Sequence, residues 1–79
     1  MTRHSARKPR PAFTPRQREI LRLLLTGHTQ KAAAVELGIS ERTVIEQLSR
    51  ARARAGVAST AMLLARAGAH GLGPRSPLS

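Results

Sequence analysis

The chain has 79 residues and a formal net charge of +10, with 14 Lys or Arg against four acidic residues. That length holds one small domain, and the charge favours a polyanionic partner, nucleic acid ahead of an anionic membrane surface. The absence of Cys excludes disulfides and thiolate metal sites, no run reaches the length of a membrane span, and the N-terminus lacks the apolar stretch of a signal peptide, so a cytoplasmic, nucleoid-associated protein without membrane contact is expected.

Residues 1–12 read as a flexible basic arm, in which Arg3, Arg7, Lys8 and Arg10 alternate with small residues and Pro. A first helix then starts sharply. Thr14 is its N-cap, Pro15 takes the tolerated first position, and Gln17 completes a Thr-x-x-Gln capping box. Ile20, Leu21 and Leu24 form a stripe at helical spacing, widened by Leu23 and Leu25, and Gly27 stops the helix. Thr29 caps a second helix over Gln30 to Leu37, whose Ala33, Ala34 and Leu37 share a face. Gly38 ends it, and Ser40 opens a third helix over about 41–55, with Val44, Leu48, Ala51 and Ala55 inward and Gly56 as its stop. Val57 turns back to the core, and Ser59 caps a last helix of about ten residues with Met62, Leu63 and Leu64 as its apolar content.

Gly and Pro recur from Gly68 onward, so 70–79 reads as a flexible tail. The fold class is all-α: four helices over 13–69 between disordered ends. The short link Leu37-Gly38-Ile39-Ser40 is too tight to lay two helices antiparallel side by side, and marks a helix-turn-helix. Phe13 is the only aromatic residue and many apolar positions are Ala, so the core is small and modest stability is expected.

Three stretches carry a family resemblance. Phe13-Thr14-Pro15-Arg16-Gln17-Arg18-Glu19-Ile20-Leu21 is similar to "L-T-x-R-E-x-E-V-L", and Gly27 followed by Thr29-Gln30-Lys31 is similar to "G-x-S-N-K". Leu37-Gly38-Ile39-Ser40-Glu41-Arg42-Thr43-Val44 is similar to "L-x-I-S-x-x-T-V". In this order and spacing they resemble the LuxR-type (GerE-type) helix-turn-helix domain over roughly Phe13 to Leu64, with Gly56-Val57 where that family ends its recognition helix. The resemblance implies a four-helix DNA-binding domain of a bacterial transcription regulator, often dimerising through its fourth helix. Here it is read as a stand-alone domain, without the receiver or ligand-sensing domain that normally controls such modules. The chain departs from the pattern on the reading helix, where Ile45 replaces the usual basic residue and Gln47 the usual His. Ala33, Ala51 and Ala55 replace larger aliphatics. The family's usual operator preference is therefore not carried over.

With the third helix in a major groove, the resemblance assigns base reading to Ile45, Glu46 and Ser49. Ile45 suits a thymine methyl, Glu46 the N4 amine of cytosine, and Ser49 several base edges. Alternatively Glu46 turns sideways to pair with Arg42 or Arg50, each four residues away. Phosphate contacts are assigned to Gln30, Lys31, Arg42, Thr43, Arg50 and Arg54, and Arg52 is placed on the same outward side. Arg3, Arg7, Lys8 and Arg10 either follow the DNA backbone, enter a minor groove, or merely solubilise the arm. Met62, Leu63 and Leu64 are the candidate surface of a homodimer.

Glu19 is expected in a structural ion pair with an unidentified partner. His4, His28 and His70 share no ligand spacing, and no nucleophile is paired with a base, so neither a metal, a cofactor nor an enzymatic activity is expected. The leading function is sequence-specific binding of double-stranded DNA. The alternatives are a sigma-factor-like promoter-reading module and a protein-interaction adaptor for RNA polymerase or another regulator. RNA binding by charge alone is disfavoured because stacking aromatics are lacking.

Overall fold

A computed structural model describes residues 13–69; the expected arm over 1–12 and tail over 70–79 lie outside the described residues. The helices are α1 (Pro15–Leu25), α2 (Gln30–Leu37), α3 (Glu41–Ala55) and α4 (Thr60–Ala69), and no strand occurs among the described residues.

Each helix begins where a hydroxyl side chain satisfies a backbone N–H left without an intrahelical acceptor. The Thr14 hydroxyl accepts from Gln17 N–H at 3.1 Å, and the Gln17 Oε1 accepts from Thr14 N–H at 3.1 Å, which closes the capping box with Pro15 at the first helical position. Thr29 accepts from Ala32 N–H at 3.0 Å, Ser40 from Thr43 N–H at 3.0 Å, and Ser59 from Met62 N–H at 3.1 Å.

The first three helices stop by one device. After α2, Gly38 takes the left-handed conformation at φ 69° and ψ 32°, its N–H reaches Val35 O at 3.2 Å, and Ile39 N–H reaches Ala34 O at 3.0 Å. This paired return is a Schellman motif. It recurs with Gly27 and His28 after α1, and with Gly56 and Val57 after α3. A Cβ at Gly38 would meet nothing within 4 Å, so the glycine is required by its positive φ and not by crowding. Folding back in this way brings Ile39 and Val57 against the core.

The core joins Phe13, Ile20 and Leu21 to Ala34 of α2, to Val44, Leu48 and Ala51 of α3, and to Leu63 and Ala67 of α4. Ala33 is also wholly buried. α3 touches all three other helices, and its most extensive packing is against α2. The small buried Ala34 of α2 takes little space in that contact, and Leu37 packs against the core beside it.

Two sequence expectations change. Of the apolar run in α4, Leu63 is wholly buried and belongs to the core, whereas Met62 remains 53% exposed and Leu64 is half-buried against the core. Leu63 therefore leaves the candidate dimer surface: with Ala67 four residues on, it forms the docking stripe. Arg52 also leaves the outward face. It is half-buried, and its guanidinium donates to the Thr60 hydroxyl at 3.2 Å, tying α3 to the start of α4.

Leu63→Ala is expected to lower the unfolding free energy by about 2–5 kcal/mol through the lost burial and the residual cavity. Met62→Ala should stay within about 0.5 kcal/mol, as is usual for an exposed site. Denaturant melts followed by circular dichroism measure both, and equal losses would contradict the docking of α4 through Leu63.

Candidate nucleic-acid interface

The candidate surface is the outward side of α3. Val44, Leu48 and Ala51 fill its inward phase, which leaves the opposite phase to solvent. Ile45 is 49% exposed, and Glu46 and Ser49 are exposed as well. At about 100° per residue these three span roughly a third of the helix circumference, so they form one face. Arg42 falls within this arc and not beside it. Arg50 and Arg54, both exposed, and the half-buried Thr43 line one flank.

Glu46 is paired. Its carboxylate lies 3.4 Å from the Arg42 Nε, with both side chains more than half exposed. Such an (i, i+4) surface pair is weak and readily exchanged, so it orders the two side chains without removing either from use. Glu19 pairs with Arg16 at 3.2 Å, also on the surface of α1, which supplies the partner that the sequence left unnamed.

Near the N-terminus of α2, Lys31 is exposed and Gln30 half-buried. The Thr29 hydroxyl takes the third helical N–H, that of Ala32, so the N–H groups of Gln30 and Lys31 are without intrahelical acceptors and make the helix start favourable for an anion. At the start of α3, Ser40 and Thr43 share a hydroxyl contact of 2.9 Å in addition to the cap, so the Thr43 hydroxyl already has one partner. Arg3, Arg7, Lys8 and Arg10 lie outside the described residues.

Sequence reasoning missed one polar link across the core. Gln17 is the only polar side chain among the described residues that is buried, at 4% exposure. Its Nε2 donates to Gln47 Oε1 at 3.3 Å, joining the capping box of α1 to the middle of α3. The capping box pointed to Gln17 as a local device, but nothing in the pattern ties it to a residue thirty positions away. Arg66, on α4, likewise donates to Ala55 O at 3.2 Å and satisfies a carbonyl at the end of α3. His28 sits in the first turn with its Nδ1 3.3 Å from the Thr26 hydroxyl. Among the described residues no group of three or more His, Cys, Asp or Glu stands close enough to hold a metal ion. No helix there is long and apolar enough to cross a membrane.

A family model described as GerE, bacterial regulatory proteins of the luxR family, matches residues 11–67. The chain is also similar to the spore germination protein GerE of Bacillus subtilis (strain 168), with 44% identity over 48 residues. That match covers 61% of this chain and 65% of the relative, just under two thirds of the curated protein's length.

Because the Arg42–Glu46 pair is exposed, Glu46→Gln is expected to change the unfolding free energy of the unbound protein by less than about 0.5 kcal/mol. A thermal or denaturant melt checks this. A larger loss would make Glu46 a structural residue and remove it from the candidate surface.

Proposed function

The chain belongs to the luxR family of bacterial regulatory proteins, a family of DNA-binding transcription regulators and not of enzymes, and from that premise we propose that it binds double-stranded DNA sequence-specifically, with α3 in the major groove. One observation carries the reading. The side of α3 opposite the core presents Ile45, Glu46 and Ser49 to solvent, with Arg42 among them and Arg50 and Arg54 on one flank. Apolar, acceptor and hydroxyl groups on one helix face are a base-edge reader's set, and arginines beside it suit phosphates.

In this reading Arg42, Thr43, Arg50 and Arg54 hold phosphates around α3, and Gln30 and Lys31 hold one at the start of α2. Arg3, Arg7, Lys8 and Arg10 extend the contact along the backbone or into a minor groove. A carboxylate in the groove repels phosphate, so Glu46 lowers affinity overall while rejecting bases that offer it no donor. Met62, with the exposed part of Leu64, is the surface through which two copies would pair on successive major grooves. A cytoplasmic location and control of transcription follow from the same reading.

An adaptor for RNA polymerase or another regulator is the second reading, favoured by the exposed Ile45 standing where the family pattern is basic. The two separate on random duplex. DNA binding should weaken with salt at a log–log slope of roughly −5 to −8, as expected for about six to nine neutralised phosphates. A flat slope rejects DNA binding and leaves the adaptor. In a selection from random duplexes, Glu46→Ala should relax the preference at one base position, whereas Arg50→Ala should weaken all sequences alike. An unchanged motif in the Glu46 variant would remove its base-reading role.

A further inference from the structure

The polar link between α1 and α3 fixes more than a distance. The backbone N–H of Thr14 can only donate, and it donates to Gln17 at 3.1 Å, so the atom it meets must be the Gln17 carbonyl oxygen. The other end of that amide, Nε2, is then the end that faces α3, where it donates at 3.3 Å. An atom that receives from Nε2 must be an acceptor, so Gln47 is obliged to turn its Oε1 inward and its own NH2 away from the core. One backbone donor thus sets the orientation of two side-chain amides in series. Gln17 is 4% exposed, so water does not readily take over its part.

Gln47 stands on the flank of α3 that also carries Thr43, Arg50 and Arg54, between the buried phase and the open face. It is half-buried, so part of the residue remains open to solvent. We propose that the Thr14–Gln17–Gln47 relay makes Gln47 an obligate outward donor, and that its NH2 group binds a DNA phosphate beside Arg50. Gln47 is then a phosphate-binding residue, and Gln17 is a positioning residue that acts through it without meeting DNA. The inference rests on the DNA-binding reading and adds a residue and a polarity to it.

The direction of the relay makes it testable, because one atom change at Gln17 inverts it. Gln17→Glu keeps the acceptor for Thr14 but presents a second acceptor to α3. Gln47 must then swing its NH2 inward to donate, leaving a carbonyl oxygen toward the phosphate. Pairing this change with Glu19→Gln holds the net charge constant on the same helix. Gln17→Met instead leaves Gln47 free to turn either way.

The experiment measures duplex affinity by fluorescence anisotropy at fixed salt, together with thermal stability. The expected order is wild type, then Gln17→Met close behind, with Gln47→Met and Gln17→Glu/Glu19→Gln weaker by about ten- to a hundredfold, the loss expected for one hydrogen bond to a charged oxygen. Adding Gln47→His to the Gln17→Glu/Glu19→Gln background should recover affinity below pH 6, because an imidazolium donates from both nitrogens, inward to the carboxylate and outward to the phosphate. In the wild type, the side-chain NH2 resonances of Gln47 should shift when duplex is added.

A purely structural bridge would instead lower affinity in step with stability, with Gln17→Met as harmful as Gln17→Glu and no recovery from His; that pattern overturns the proposal. So does wild-type affinity in Gln47→Met. A wild-type protein with no affinity for duplex overturns the DNA-binding reading itself, which separates the two failures.

Discussion

The placement of α3 depends on how closely α2 can approach it. Ala33 and Ala34 are buried on α2, and Val44, Leu48 and Ala51 are buried on α3. With only a methyl group at Ala34, the two helices can come together with little side-chain volume between them at that position. The three residues that connect them then have to reverse the chain without adding bulk. Gly38 does so by adopting a positive φ, Ile39 folds onto the core, and Ser40 caps the new helix. A larger side chain at Ala34, which lies in the core cluster with Val44, Leu48 and Ala51, would push α3 outward, and the Ser40 cap and the Gln17–Gln47 bond would be strained together.

A core so poor in aromatics needs help from outside the apolar cluster. Phe13 is its only ring, and Ala supplies four of its buried positions. The remaining definition comes from polar ties at helix ends. Arg52 reaches the Thr60 hydroxyl, Arg66 reaches the last carbonyl of α3, and Gln17 joins the start of α1 to the middle of α3. Each is worth on the order of 1 kcal/mol on its own. For the Arg52 and Arg66 ties the larger effect is geometric, because a helix with a small apolar stripe can rotate by a few degrees at little loss of burial, whereas a hydrogen bond at its end cannot follow. The rotation of α3 decides which side chains face outward.

The local devices were legible in the sequence and the distant ones were not. Caps at Thr14, Thr29, Ser40 and Ser59 and stops at Gly27, Gly38 and Gly56 involve partners within five residues, so the chain announces them directly. The inward phase of α3 was equally clear, since Val44, Leu48 and Ala51 recur at helical spacing within a fifteen-residue helix. In α4 the three consecutive apolar residues Met62, Leu63 and Leu64 carry no phase of their own, and only docking against the core selects Leu63. Arg52 looked like part of an arginine series because alternation in sequence hides the fact that its phase differs from those of Arg50 and Arg54. The Gln17–Gln47 bond spans thirty residues, and neither residue type is rare on a helix surface, so no local pattern exposes it.

The charge on the outward side of α3 rests on a weak, exchangeable tie. A bare carboxylate at Glu46 would oppose any approach to a phosphate backbone, yet in the unbound protein it is accompanied by Arg42 at 3.4 Å. The pair is exposed on both sides, so water already competes for each partner and little is lost when it opens. Under the proposed function, a phosphate that draws Arg42 away leaves Glu46 without its cation at the moment it enters the groove. The carboxylate then needs a donor from a base edge. A cytosine amine supplies one, while a guanine or thymine carbonyl at the same height does not. On that reading Glu46 lowers affinity for every sequence and most for those that offer it no donor, and a chain with a net charge of +10 has enough general attraction to polyanions to tolerate one such repulsion.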